Sequence, residues 1–173
     1  ITWDVTINTI GAELDNATVT DPMPSSTDGT VPTTLKTTTI YPLTVNLNGN
    51  VTSTGPALVA GTDYTVDGSG KITFIGKYAK TYSAFKIEYT SDIDSSKLPD
   101  DGGQVSFKNT ATLSNNGTNY PANATVDANY GKLIAKSYDG QDNNGSQKYN
   151  WHIDYNYGEK SLAANTSIVD TLS

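Results

Sequence analysis

Three polar side chains stand where strand periodicity demands apolar ones, and this limits how the chain can fold. In the run Val105–Leu113, alternation puts Val105, Phe107, Ala111 and Leu113 on one face, with Asn109 among them. In Ala17–Asp21 the carboxylate of Asp21 continues the face of Ala17 and Val19. In Ile134–Tyr138 the amine of Lys136 shares a face with Ile134 and Tyr138. An amide, an acid or an amine buried without a partner is costly, and the charged groups cost most. A sheet protein built from these strands must therefore give all three a chemical reason to be inside.

Short β-favouring runs rich in Thr, Val and Tyr lie between Gly, Asn, Asp and Pro turns, and no long stretch carries an apolar stripe at helical spacing. The chain reads as all-β. Its 173 residues suffice for one full sandwich and part of another. A net charge of −7 argues against nucleic acid and against insertion into or adsorption on an anionic membrane. No segment reaches transmembrane length, and no basic targeting segment or signal peptide is visible. The sequence opens directly on the strand-like run Ile1–Val5, which fits a leader already removed. With no cysteine, stability must come from something other than disulfides. Asn-x-Ser/Thr triplets such as Asn50-Val51-Thr52 are expected by chance in so Thr- and Asn-rich a chain, and no glycosylation is assigned.

The chain repeats itself. Trp3-Asp4-Val5-Thr6-Ile7-Asn8 returns 148 residues later as Trp151-His152-Ile153-Asp154-Tyr155-Asn156, and Leu14–Asp21 returns as Leu162–Asp170 with one residue inserted. Residues 1–130 read as one domain lacking its first strand, and 131–173 as the first strands of a second, homologous domain. Strands are expected near 2–8, 15–21, 42–47, 63–66, 71–75, 83–90, 104–114 and 119–128, separated by turns such as Asn48-Gly49-Asn50 and Asn115-Asn116-Gly117. That spacing indicates an immunoglobulin-like β-sandwich, nearly complete in the first copy. The segment Pro22–Gly29 reads as a surface loop.

The Trp strand ending in Asn8, the Leu14–Asp21 run, the Tyr64, Ile72-Thr73-Phe74 and Lys86-Ile87-Glu88-Tyr89 region, and Phe107-Lys108-Asn109-Thr110-Ala111 follow one another in a specific order. In these features the chain resembles the isopeptide-forming, immunoglobulin-like domains of cell-wall-anchored adhesins of Gram-positive bacteria, the collagen-binding adhesin family in particular. The resemblance implies a lysine on a first strand joined to an asparagine on a late strand, with an acid assisting. Carried over, Asn109 is the acceptor and Asp21 the assisting acid of the first domain. Lys136 is the donor and Asp170 the acid of the second, with Ile168 and Leu172 on its face. Neither triad is complete, since no lysine precedes Ile1 and the second copy stops before its asparagine. The resemblance further implies an extracellular location, anchored to the cell wall through other parts of the parent protein.

Burial lowers a lysine pKa and raises that of an aspartic acid, so amine and acid meet in their neutral forms. The protonated acid polarises the carboxamide and passes a proton to the departing ammonia, while the fold supplies high effective molarity. This is single-turnover self cross-linking rather than enzymatic turnover, and it calls for no cofactor and no metal. Two functions are compatible with it: a stalk of locked repeats whose partners are neighbouring repeats of the same protein, or a module that itself grips collagen or another extracellular-matrix protein. Tyr78, Tyr82, Tyr120 and Tyr130 are candidates for an aromatic groove in the second case. Trp3 and Trp151 read as core residues, and His152, with no Cys or Ser partner, as a solvated strand residue. The stretch Asp139–Gly145 departs from a calcium loop in its glycine position and in Asn150, and reads as a hairpin loop. Asp92, Asp94, Asp100 and Asp101 read as a solvated linker, without a glycosidase-like pair. A strand of the Lys136 type is also a candidate to lie beside Asn109, from the same chain or from a neighbour.

Overall fold

Phe85 explains how this chain packs. It lies near the start of a strand whose alternate residues Phe85, Ile87, Tyr89 and Ser91 are all buried, and its ring stacks on Phe74 of the opposite sheet with centroids 4.5 Å apart. The computed structural model describes residues 1–142, 148–157 and 160–171. They form an all-β chain of thirteen strands: β1 Thr2–Ile7, β2 Leu14–Asp15, β3 Thr18–Thr20, β4 Thr33–Val45, β5 Val51–Thr54, β6 Tyr64–Val66, β7 Ile72–Phe74, β8 Lys80–Thr81, β9 Ala84–Ile93, β10 Gly103–Asn115, β11 Thr118–Tyr130, β12 Ile134–Gln141 and β13 Tyr149–Tyr155. Among the described residues no helix is long and apolar enough to cross a membrane.

The chain divides into two compact units, Ile1–Ile93 with Ser106–Val126, and Asp94–Val105 with Asp127–Ser173. The first unit is a β-sandwich. One sheet has the order β1-β9-β4-β5, and the other β11-β10-β3-β7-β6. β9 is central because both of its edges are used. Trp3, Val5 and Ile7 of β1 pair with Tyr89, Ile87 and Phe85, and Ile40 of β4 pairs with Ile87. The facing sheet contributes Val19, Ile72, Phe74, Phe107 and Ala111. Each large apolar side chain here contributes roughly 1.5–3 kcal/mol on burial.

β4 begins at Thr33, nine residues before the strand expected at 42, and β5 has no counterpart among the expected strands. In β4 only Ile40 is fully buried, so the Thr-rich run Thr33–Thr39 shows no apolar alternation. What makes it a strand is its ladder to β9, helped by a cross-strand hydrogen bond between the hydroxyls of Thr37 and Thr90. The segment Pro22–Gly29 is more than a surface loop. Ser26 is buried, its N–H donates to Val31 O at 2.8 Å, and Val31 itself is fully buried.

The second unit contains the antiparallel pair β12–β13, and its loop geometry shares features with the first unit. Asn8 takes a positive φ of 60° and closes its loop by donating to Ala12 O at 2.9 Å and accepting from Ala12 N–H at 3.0 Å. Asn156, with φ 56°, does the same with Lys160 at 3.0 and 2.9 Å. Asn16 and Asn165, the next matched pair, are also left-handed. Asparagine tolerates this conformation because its short side chain bonds the local backbone.

Truncating Phe85 to Ala removes the ring contacts to Phe74 and Tyr78 at the centre of the first unit. It is expected to cost about 3–5 kcal/mol in denaturant unfolding of the full chain.

Candidate functional site

Val19, the middle residue of β3, is fully buried between Leu113 of β10 and Ile72 of β7. Continuing the β3–β10 register beyond Thr20–Thr112 carries Asp21 onto the same inward face, opposite Ala111 and diagonal to Asn109. Both polar residues are inside: Asp21 is 1% exposed and Asn109 6%. Neither carboxyl oxygen of Asp21 has a hydrogen-bond partner among the described residues. Asn109 Oδ1 accepts the Thr110 N–H at 2.8 Å, which draws electron density from its amide carbon.

Desolvation pushes the Asp21 pKa up, and the neighbouring Asn109 side chain opposes it to a smaller degree without reaching hydrogen-bond geometry. Asp21 therefore favours the protonated form more than an ordinary aspartic acid does. Tyr89 OH, Ser91 Oγ and Trp3 Nε1 are likewise buried without a partner. Burial drives the Tyr89 phenol far above its ordinary range, and the Asp21 charge adds to that. Sequence reasoning did not single out Tyr89 or Ser91. The available signal was Ser91, a polar residue continuing the buried face of Phe85, Ile87 and Tyr89, the same pattern that marks Asn109 on β10.

Asp21, Asn109 and Trp3 border open space. A cavity of about 110 Å³ is lined by Trp3 and Val5 of β1, by Asp21, Asn109 and Ala111, and by Ala122 and Ala124 of β11. An apolar groove of about 300 Å³ shares Val5, Ala111 and Ala122 with it and continues along Ile7, Leu14, Leu113 and Tyr120. Among the described residues β1 and β11 are the edge strands of their two sheets. β11 is exposed along nearly its whole length, on both faces.

In the second unit Lys136 Nζ bonds Asp170 Oδ1 at 2.6 Å, with the two side chains 35% and 40% exposed. Lys136 also lies over the Trp151 ring, 5.2 Å from its centroid. The shared face of Ile134, Lys136 and Tyr138 is thus exposed rather than buried. Trp151, read as a core residue, is 53% exposed and packs on Tyr138, whereas Trp3 is 6% exposed. The same sequence motif is covered in one unit and open in the other, because no second sheet lies over β12 and β13 among the described residues. Ile168 is 44% exposed, and Leu172 lies outside the described residues.

The remaining expectations fall out as follows. Tyr78 packs edge-on against Phe85, Tyr82 donates to Glu13 Oε2 at 2.6 Å, and of the four tyrosines only Tyr120 lines the apolar groove. Asp92 pairs with Lys36 at 2.9 Å, Asp94 caps a 3-10 turn over Ser95–Lys97, and Asp100 pairs with Lys160 at 2.5 Å. Asn143, Asn144 and Gly145 of the hairpin loop lie outside the described residues. Its Asp139 bonds His152 Nδ1 at 2.6 Å, and this contact raises the His152 pKa.

Because burial raises the Asp21 pKa, the folded state holds a proton there that the unfolded chain releases. Stability is then lost as pH rises above the unfolded value of about 3.9. Asp21→Asn is expected to unfold at higher denaturant than wild type at pH 7, by on the order of 1 kcal/mol, with the difference vanishing in acid. At His152 the sign is opposite: its contribution is complete below about 6.5 and is lost as pH rises through the raised value. NMR titration is expected to place His152 above its ordinary range, and Asp139→Asn to bring it back.

No curated protein sequence matches the chain significantly. Residues 1–124, nearly three-quarters of the chain and almost all of the first unit, match the family described as Collagen binding domain. The chain belongs to the collagen binding domain family.

Proposed function

We propose that this chain is an adhesive, stalk-forming piece of a cell-surface protein whose sandwiches are locked by a lysine–asparagine isopeptide bond. The observation that carries the reading is the buried Asp21, with both oxygens unpartnered, lining the same cavity as Asn109. An acid held toward neutrality beside a polarised carboxamide is a costly arrangement without a chemical use. The second repeat adds the complementary half, since Lys136 lies 2.6 Å from Asp170, the counterpart of Asp21.

In the complete site a neutral lysine Nζ attacks Asn109 Cγ. The Cγ–Nδ2 bond breaks, ammonia leaves, and an amide joins the two side chains. Asp21 lends its proton to the carboxamide oxygen, takes up the proton that the attacking lysine nitrogen loses and passes it to the leaving nitrogen, and recovers its own as the carbonyl re-forms. The bond then closes a loop between early and late strands as a disulfide would, and no reductant opens it. Neighbouring repeats are the structural partners, and the location is extracellular, with anchoring through other parts of the parent protein.

Direct ligand binding is a second reading, favoured by the family match and by the apolar groove along Ile7, Leu113 and Tyr120. Here collagen or another matrix protein is the partner.

An intact parent domain is expected to weigh one ammonia less than its sequence mass, and Asn109→Ala to restore the mass of its own sequence. A wild-type mass equal to the sequence sum removes the cross-link. Immobilised collagen and fibrinogen separate the two readings: a pure stalk leaves both unbound, and saturable binding to collagen establishes the ligand-binding reading.

A further inference from the structure

The hydrogen bond from Thr110 to the Asn109 side chain forms where a sheet ladder stops. Continuing the β3–β10 register two residues past Thr20–Thr112 brings Pro22 opposite Thr110. The backbone of Ser106 faces this side of β10, since its carbonyl accepts the Thr27 N–H at 2.8 Å. Thr110, an even number of residues further on, turns its N–H and C=O the same way. Proline has no N–H to give the Thr110 carbonyl, so a regular pair cannot form there. The chain turns away instead. Pro24 O accepts the Thr33 hydroxyl at 2.5 Å, and Ser25 bridges Pro32. β10 is met again by Ser26, which bridges Phe107 one residue out of the earlier register. A cleft of about 400 Å³ opens between this segment and Lys108, Asn109 and Thr110.

The Thr110 N–H, released from the ladder, donates to Asn109 Oδ1 at 2.8 Å. Attack of a lysine nitrogen on Asn109 Cγ moves the carbonyl π pair onto that oxygen. Two lone pairs then need donors. The Asp21 proton meets one, and the Thr110 N–H already occupies the other. The distance is that of an oxyanion donor, and a backbone group fixed in a strand needs no reorganisation as the charge develops.

We infer that the Thr110 backbone N–H is an oxyanion donor to Asn109 during cross-linking, and that Pro22 is a positioning residue that keeps this N–H out of the β3–β10 ladder. The inference rests on the cross-link reading above and adds to it the group that activates the acceptor. A proline that merely ended a strand would leave the rate of ammonia loss untouched.

Two measurements test it. In the full chain, NMR is expected to show a scalar coupling across the hydrogen bond, between the Thr110 backbone nitrogen and Asn109 Cγ. Its absence overturns the inference. In the parent protein, intact mass followed from the moment of synthesis gives the rate of ammonia loss. Thr110→Pro removes the donor at a position whose N–H faces away from β11, and is expected to slow the reaction about 10²–10³-fold. Thr110→Ala keeps the N–H, loses only the side-chain bond to Asn123, and is expected to react at the wild-type rate. Pro22→Ala returns an N–H to the ladder opposite Thr110. It is expected to weaken the coupling and slow the reaction about tenfold, and it carries the test should Thr110→Pro fail to fold. A folded Thr110→Pro reacting at the wild-type rate overturns the donor, as does equal slowing in Thr110→Ala. Pro22→Ala with coupling and rate unchanged overturns the positioning role. Each of these leaves the cross-link reading standing, whereas a wild-type protein that never loses ammonia removes that reading and this inference together.

Discussion

A carboxylic acid buried without a hydrogen-bond partner is the constraint around which the first sandwich is arranged. Asp21 is as deeply enclosed as Val19 and Phe107, yet it gains nothing from being there. An isolated buried carboxylate is among the most expensive groups a fold can carry, and the usual escape is to keep the proton. That escape fixes the character of the surroundings. Asn109 faces the same cavity with its carbonyl already accepting a backbone N–H, and Tyr89, whose phenol feels the Asp21 charge, is unpaired among the described residues.

The two strands that carry the Trp3 and Trp151 motifs are covered to different degrees. In the first unit the tryptophan strand is covered, because β9 and the opposite sheet enclose Trp3 and Ile7. In the second the matching strand pairs, among the described residues, with β12 alone, and Trp151 is left half exposed beside Tyr138 and Lys136. Local backbone geometry does not depend on this difference, since Asn8 and Asn156 make the same left-handed loop closure in both. Loop chemistry is therefore a property of the local sequence, and burial a property of what lies over it.

That distinction explains what could be read from residues alone. The inward positions of Trp3, Asp21, Phe107 and Asn109 follow from two-residue alternation, which survives wherever one face of a strand meets a core. The early half of β4 was not legible. Its threonines meet no core on either face, and pairing with β9 is a long-range event with no periodic trace. Trp151 misled because its motif matches that of Trp3, while its exposure is set by the absence of a covering sheet among the described residues. The pairing of Lys136 with Asp170 agrees with their matched places in the repeat, but the contact is a half-exposed ion pair rather than a buried one. The unsatisfied hydroxyls of Tyr89 and Ser91 had a faint signal in the alternation of β9, and only the packed sandwich brings Tyr89 within reach of the Asp21 charge.

The state of the Asp21 proton is the point on which the chemistry turns. Titration of the Asp21 side-chain carbonyl carbon by NMR, in the full chain, measures it directly. The midpoint is expected clearly above the ordinary aspartic acid value of about 3.9, with Asn109 resonances shifting in the same transition. A midpoint at or below that value shows an ionised acid already satisfied by its surroundings, and contradicts the account.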